Sequence, residues 1–142
     1  MPPTAQVLNA DPLPWLLRPD RQHPGVRLLV LRDLLGRPAS DAEVFRAQKA
    51  VMRSGPVPAI LNAMQPEGYW YKPGGGYSPK YLSTIWQIIW LAELGADPAD
   101  RRVRTACEYI LEHSRAANGA FAYFERAWST VMANFAKTFG GA

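Results

Sequence analysis

Residues 79–114 read PKYLSTIWQIIWLAELGADPADRRVRTACEYILEHS and contain two helix-like stretches of different character on either side of Gly95. The first stretch, 79–94, is apolar almost all round, and a helix of that kind has to be enclosed by other elements. The second stretch, 98–114, gathers its apolar residues on one stripe, which predicts a half-exposed helix. Glycine is the common residue just after a helix end, because it accepts the left-handed conformation. The stretch therefore predicts an α-helical hairpin with one enclosed and one half-exposed helix.

A similar pair of stretches lies earlier in the chain, where the apolar segment 24–35 is followed by the amphipathic segment 41–54. Leu31-Arg32-Asp33-Leu34 aligns with Leu91-Ala92-Glu93-Leu94 at the same offset of 60 residues that separates Pro38 from Pro98. A repeat of this size is typical of stacked helical hairpins, each of which buries its inner face against a neighbour. We expect an all-α fold of α/α helical-hairpin repeats, arranged as a partial toroid or an open α-solenoid.

Proline, glycine and capping residues mark the helix boundaries. Proline is tolerated in the first helical turn, and Ser40 with Glu43 forms a capping box. Asp97 and Asp100 are interpreted as an N-cap and a first-turn charge. The expected helices are 24–35, 41–54, 57–65, 79–94, 98–114 and 122–138, with helix ends at Gly36, Gly55 and Gly95. We expect a proline-rich N-terminal extension (1–23), a repeat domain (24–121), and a C-terminal amphipathic helix and tail (122–142) with an apolar stripe of Phe124, Trp128, Val131 and Phe135.

Composition excludes several classes of function. The chain has 142 residues, 48% of them hydrophobic, and a formal charge of +4. Its basic residues are dispersed, with Arg101, Arg102 and Arg104 as the one tight group, so we expect no nucleic-acid partner. A single cysteine, Cys107, excludes an internal disulfide framework and a multi-thiolate metal site. No apolar run approaches the roughly 20 residues of a membrane helix, and no signal peptide is evident, so we expect a soluble, cytoplasmic protein without a transmembrane segment.

The first repeat ends in Gln65-Pro66-Glu67-Gly68-Tyr69-Trp70, a Q-x-x-G-x-W element. This element resembles the glutamine–tryptophan repeat of the squalene/hopene cyclase and prenyltransferase superfamily, whose α/α toroids enclose inner helices within a ring of outer ones. The segment Tyr77–Trp86 leading into Leu91–Gly95 is similar to the inner-helix entry of uncharacterised cyclase-like proteins. The resemblance covers roughly residues 15–121. A second, degenerate copy at Asn118-Gly119-Ala120-Phe121 keeps the glycine and an aromatic residue but lacks the glutamine.

The resemblance implies roles for particular residues. In the family the glutamine braces a helix end and stacks on the tryptophan, which makes Gln65, Gly68 and Trp70 a structural motif. The toroid cavity lies at one end of the inner helices, where aromatic rings surround an isoprenoid chain or stabilise carbocations. The ligand-facing residues expected on this basis are Trp70, Tyr71, Tyr77, Lys80, Tyr81 and Thr84, with the alternative that they merely cover an edge of the core.

The catalytic groups of the family are missing from the sequence. Class II cyclases protonate their substrate with a D-x-D-D motif, and protein prenyltransferases hold zinc through Asp, Cys and His. The chain contains neither arrangement, so no catalytic residue, cofactor or metal is assigned. His23 and His113 are interpreted as a cap and a helix-dipole partner, and Gly74-Gly75-Gly76 as a flexible turn.

Three functions remain open. Two hairpins cannot close a toroid, so the chain needs either a missing remainder or self-association. The first hypothesis is a cyclase-like α/α-toroid segment that binds an isoprenoid or another lipophilic small molecule. The second is a helical-repeat module that binds a protein and has no small-molecule activity. The third, carbohydrate processing in an α/α barrel, lacks a carboxylate pair.

Overall fold

The computed structural model describes residues 9–116 and 118–120, and every regular element in that range is helical. The elements are α1 (Leu13–Leu16), α2 (Pro24–Leu29), a π-helical segment (Val30–Leu34), α3 (Ala42–Arg53), α4 (Pro56–Asn62), α5 (Thr84–Glu93) and α6 (Arg101–His113). The predicted all-α class is confirmed for this part of the chain. The expected helix 122–138 and its apolar stripe lie outside the described residues. Among the described helices, none has the length and apolar character needed to cross a membrane.

The chain divides into two compact units. Among the described residues, unit 1 comprises 9–59 with 94–97, and unit 2 comprises 60–93 with 98–116 and 118–120. Helix α2 contacts α3 within unit 1, and α5 contacts α6 within unit 2. Each unit therefore contains one of the two expected helical hairpins.

The core of unit 1 forms between α2, the π-helical segment and α3. A returning turn, residues 94–97, is tied to α3, because the Gln48 side-chain amide donates to the Gly95 carbonyl at 2.7 Å. The Asp97 backbone N–H also lies 3.2 Å from the Met52 sulfur. The buried apolar side chains of this core include Leu28, Val30, Leu31, Val44, Ala47, Val51 and Val57.

The core of unit 2 forms between α5, α6 and the loop that precedes α5. Trp70, Leu91 and Ala106 are buried there, as is most of Tyr109. Three hydroxyl-bearing residues are also buried, namely Ser83, Thr84 and Ser114. Each of the three has a hydrogen-bond partner, as a buried hydroxyl requires.

In each hairpin one aspartate caps the second helix, and the two caps have nearly the same geometry. Asp41 (φ −65°, ψ 132°) accepts from the N–H of Glu43 at 2.7 Å, and Asp100 (φ −63°, ψ 130°) accepts from the N–H of Arg102 at 2.8 Å. The hydrogen bond from the Glu43 N–H lowers the pKa of Asp41, and the Arg102 guanidinium lowers the pKa of Asp100. The predicted cap at Ser40 is therefore wrong by one residue, and the helix assigned to 98–114 begins at Arg101 instead. A carboxylate competes better than a hydroxyl for these N–H groups because it carries charge at the positive end of the helix.

The predicted start of the inner helix at residue 79 is also wrong, because α5 begins at Thr84. The Pro79 carbonyl accepts from the Ser83 hydroxyl at 3.0 Å, and Tyr81 lies in the left-handed region at φ 68°. These local bonds hold residues 79–83 in a turn, since short hydroxyl side chains compete with helical backbone bonds. The helix ends at Gly36, Gly55 and Gly95 are confirmed, because all three residues have positive φ just after a helical segment.

The expectation that both apolar helices are enclosed is wrong in part. In unit 1 the chain winds into a π-helical turn, with the Leu35 N–H donating to the Val30 carbonyl at 3.0 Å, and Leu34 is 67% exposed. In unit 2, Ile89 and Trp90 on α5 are each 44% exposed. Each helix has more apolar faces than its own hairpin partner can cover.

Candidate functional site

The loop before α5 is fixed to the core by Trp70 and Thr84. Trp70 is 3% exposed, and its indole N–H donates to the Ile60 carbonyl near the end of α4 at 2.8 Å. Its backbone N–H donates to the Thr84 hydroxyl at 3.1 Å, and Thr84 is fully buried. Both residues were expected to face a ligand, but their polar groups and surfaces are used in packing. The structure places Trp70 and Thr84 among the core residues of unit 2.

The tryptophan, rather than the glutamine, braces the helix end. The Gln65 side chain is exposed and forms no hydrogen bond with another described residue. The turn itself is built from backbone groups: the Gln65 N–H donates to the Tyr69 carbonyl at 2.8 Å, and the Gly68 N–H donates to the Gln65 carbonyl at 2.9 Å. The implied bracing role of the Gln65 amide is therefore absent from this structure.

The degenerate second copy of the motif forms the same turn. The Ala116 N–H donates to the Ala120 carbonyl at 2.8 Å, and the Gly119 N–H donates to the Ala116 carbonyl at 2.9 Å. Gly68 and Gly119 both have positive φ, at 102° and 81°. Since backbone groups close the turn, alanine replaces glutamine at its first position without loss of these bonds. Phe121, the aromatic residue of this copy, lies outside the described residues.

The glycine triplet is anchored rather than free. The Gly74 N–H donates to the Tyr109 hydroxyl at 2.7 Å, and the Gly75 carbonyl accepts from the Ser114 hydroxyl at 3.2 Å. The Gly76 carbonyl accepts from the Ile85 N–H at 3.0 Å. The expected flexible turn is thus bonded to both α5 and α6, which fixes where the following residues, 77–82, emerge.

Aromatic side chains and one lysine ammonium group cluster at the start of α5. The Trp86 indole N–H donates to the Tyr77 carbonyl at 2.9 Å, and the Trp86 ring lies 5.5 Å from the Tyr77 ring and 4.9 Å from the Tyr81 ring. The Lys80 ammonium lies 5.0 Å from the Tyr81 ring centroid and 5.5 Å from that of Trp86. The structure therefore brings together three of the expected site residues, Tyr77, Lys80 and Tyr81, and adds Trp86. We call these four residues the aromatic cluster.

The backbone of Tyr81 is held in a conformation that non-glycine residues rarely adopt. Its φ of 68° is typical of glycine, and such strain costs roughly 1 kcal/mol or more. The Gln87 side-chain amide donates to the Tyr81 carbonyl at 2.8 Å and helps to maintain this conformation. The result is an exposed tyrosine ring that leans edge-on against Trp86. Tyr71, also expected at the site, is 67% exposed and has no ring contact with the cluster.

An apolar stripe, half-buried at Trp86 and exposed at its other members, continues from the aromatic cluster along α5. Leu82 lies just before the helix and is 57% exposed, and Ile89 and Trp90 follow Trp86 at the helical spacing of three and four residues. We call Leu82, Trp86, Ile89 and Trp90 the α5 stripe. Sequence reasoning missed it as a surface, because an all-apolar helix gives no indication of which face lacks a neighbour. Glu93, one turn beyond Ile89 and Trp90, is exposed and ends the stripe.

Comparisons with protein-family models, with curated proteins and with solved structures find no match.

The His, Cys, Asp and Glu side chains of the described residues do not assemble into a metal-binding set. No three His, Cys, Asp or Glu side chains within 9–116 and 118–120 lie where they would share a metal ion. His23 stands at the N-cap position of α2, where its ring contacts the Asp20 carboxylate at 3.0 Å. His113 stacks on Tyr109 near the end of α6. Burial raises the pKa of the Cys107 thiol, which disfavours the nucleophilic thiolate at neutral pH.

Proposed function

We propose that unit 2 binds an amphiphilic molecule with an isoprenoid-like apolar chain and an anionic head group. The observation that carries this proposal is the position of the Lys80 ammonium over the Tyr81 and Trp86 rings, at one end of the exposed α5 stripe. A cation next to an apolar surface complements a ligand with the same division between charge and hydrocarbon.

The stripe provides the apolar half of the site. Trp86 and Trp90 are separated by one helical turn, and the helix extends about 10 Å from Trp86 to Glu93 at about 1.5 Å per residue. Covering such a surface with a hydrocarbon chain yields roughly 25 cal/mol for each Å² removed from water. Contiguous exposed apolar residues on one face commonly mark binding surfaces. The α5 stripe is therefore suited to a linear chain lying along the helix.

The charged residues at its ends give the stripe a direction. Lys80 stands at the N-terminal end of the stripe and Glu93 at the C-terminal end. An anionic head group is attracted to the lysine and repelled by the glutamate, and both effects place the head near Tyr81. A neutral lipid would gain nothing from this arrangement beyond its apolar contact.

The same geometry favours binding over carbocation chemistry. Aromatic faces stabilise a cation through their negative quadrupole, but here the Lys80 ammonium already lies over two of those faces. A carbocation at the cluster would be repelled by this charge. The role of stabilising carbocations, implied by the resemblance, is therefore disfavoured at this cluster.

We also propose that the chain has the architecture that the resemblance implies. The chain would be a segment of an α/α toroid like those of squalene/hopene cyclases and prenyltransferases, with α5 as an inner helix, completed by a missing remainder or by self-association. Two observations support this idea: the paired hairpins have matching aspartate caps, and the turn at Gly68 recurs at Gly119. The exposed stripe on α5 is what an inner helix would present to a ligand.

The alternative is a protein-interaction module that uses the same stripe. Ile89 and Trp90, with Trp86 one turn earlier, have the spacing that helix-in-groove recognition uses for its anchors. A protein partner would require the apolar residues but would have no general need for an anionic group at Lys80. The two functions therefore differ in their dependence on head-group charge.

The distinguishing experiment is a calorimetric titration of the chain with farnesyl phosphate and, separately, with farnesol. We expect saturable binding of farnesyl phosphate that Ile89→Ser weakens, because the serine removes apolar area from the stripe. Lys80→Gln should weaken the binding of farnesyl phosphate about fivefold or more. It should change the affinity for farnesol by less than about twofold, since only the phosphate interacts with the lost charge.

Leu34→Ser is the matched control, because Leu34 is another exposed leucine-sized apolar residue but lies in unit 1. It should leave both titrations unchanged. Absence of saturable binding, or equal losses for Ile89→Ser and Leu34→Ser, would contradict lipid binding at the stripe. If Lys80→Gln reduced the affinities for farnesyl phosphate and farnesol equally, the assignment of an anionic head group would be contradicted.

A further inference from the structure

Unit 1 contains a groove with an unusual concentration of arginine. Three arginines line it: Arg21 from the segment before α2, Arg27 from α2 and Arg46 from α3. The groove has a cavity volume of about 100 Å³, and its other walls include the apolar residues Pro19, Pro24, Ala47 and Ala50. All of these residues belong to unit 1, so the groove is separate from the α5 stripe.

The arginines have donors that the protein does not use. Arg27 gives one bond, from Nη2 to the Glu43 carboxylate at 3.1 Å, and its Nε is buried without a hydrogen-bond partner. A buried donor left unpaired is costly and rare, so the hydrogen-bonding capacity of Arg27 is not satisfied within the described residues. Arg21 and Arg46 form no hydrogen bond or ion pair within 9–116 and 118–120. Three arginines thus line one groove, and the described residues use few of their donors.

The acidic groups near the groove do not neutralise it. Asp20 lines it, but its carboxylate contacts the His23 ring and accepts from the Gln22 and His23 N–H groups, and these bonds, the His23 ring first, lower its pKa. Glu43 is shared between Arg27 and Arg37. The lining residues therefore carry three positive charges against one negative charge.

We propose that this groove binds a phosphate monoester with a compact organic group, because a cavity of about 100 Å³ is too small for a chain of isoprenoid length. Guanidinium groups bind phosphate oxygens through paired, charge-assisted hydrogen bonds. Three arginines from three segments can each take a different oxygen of a tetrahedral phosphate, whereas a planar carboxylate offers two oxygens in one plane. The two prolines and two alanines provide an apolar wall for the organic group. Ser54, which also lines the groove, donates its hydroxyl to the Ala50 carbonyl at 3.0 Å.

The test is an NMR titration of backbone amides with phenyl phosphate, with benzoate and inorganic phosphate as comparison probes at constant ionic strength. Phenyl phosphate should shift amides in segments 19–27 and 46–54 and bind more tightly than either comparison probe. Arg46→Gln should weaken phenyl phosphate about tenfold, because it removes a charge-assisted contact from an exposed residue that the fold does not need.

Two further variants show whether the effect is local. Arg53→Gln removes an exposed arginine from the same helix but outside the groove, and it should change the affinity by less than about twofold. Asp20→Asn removes the carboxylate among the lining residues and should strengthen binding. Equal losses for Arg46→Gln and Arg53→Gln would reduce the effect to diffuse surface charge, and benzoate binding as tight as phenyl phosphate would overturn the assignment to phosphate. Absence of saturable shifts with the parent protein would overturn the site itself.

Discussion

Replacing Trp70 with alanine should remove a large part of the stability of unit 2. Burial of a tryptophan side chain accounts for about 3–5 kcal/mol of stability, and Trp70 is 3% exposed. The substitution also leaves the Ile60 carbonyl without its indole donor. Together these effects should lower the free energy of unfolding by about 4 kcal/mol or more, against a total of about 5–15 kcal/mol for a typical domain.

Urea unfolding followed by far-UV circular dichroism measures this loss. Trp70→Phe keeps most of the apolar volume but removes the indole N–H, and it should cost about 1–2 kcal/mol. Tyr71→Ala is the control, because the adjacent aromatic residue is 67% exposed and should change stability by about 0.5 kcal/mol or less. If Trp70→Ala and Tyr71→Ala had similar midpoints, the bracing role of Trp70 would be wrong.

Gly68→Ala should also destabilise unit 2 strongly, although it adds a single methyl group. Gly68 has φ 102°, a conformation that side chains with a Cβ rarely adopt, and the added Cβ would lie 2.7 Å from the Thr105 backbone oxygen on α6. The methyl group cannot be accommodated by a side-chain rotation, because the obstructing atom is helix backbone. Backbone strain and steric overlap together should cost about 3 kcal/mol.

Gly119→Ala provides a matched comparison within the same chain. Gly119 forms the same hydrogen-bonded turn and has φ 81°, but an added Cβ there has no atom of the described residues within 4 Å. This variant should lose about 1 kcal/mol from backbone strain alone. The difference between the two denaturation curves isolates the contact with Thr105, and equal losses would show that packing against α6 is unimportant.

The sequence predicted the fold class because proline, glycine and aspartate punctuate a chain with clear helical periodicity. Helix starts were less predictable. A single serine hydroxyl bonded to the Pro79 carbonyl delays α5 to Thr84, and a carboxylate one residue beyond Ser40 takes over the cap of α3. The first residue of a helix depends on which of several nearby donors and acceptors form hydrogen bonds. Helix propensity does not distinguish between these alternatives.

The expected site residues separate into two groups in the structure. Tyr77, Lys80 and Tyr81 lie together, but Trp70 and Thr84 are buried, because a tryptophan and a threonine that bond to each other complete a core. Leu82, Ile89 and Trp90 were expected inside, since apolar residues on all faces of a helix indicate enclosure. Whether a face is covered depends on neighbours that a periodic pattern does not identify.

Photolabelling tests the proposed function most directly, because it reports where the ligand lies. The chain would be irradiated with a farnesyl phosphate analogue carrying a diazirine on its terminal isoprene unit, then digested with trypsin and analysed by mass spectrometry. We expect the label on peptide 81–101, which contains the whole α5 stripe. Unlabelled farnesyl phosphate should compete with the analogue and reduce this labelling. Peptide 33–46, which carries the exposed Leu34, should remain unlabelled. Equal labelling of the two peptides, or labelling of 81–101 that unlabelled farnesyl phosphate fails to reduce, would contradict a lipid site on the α5 stripe.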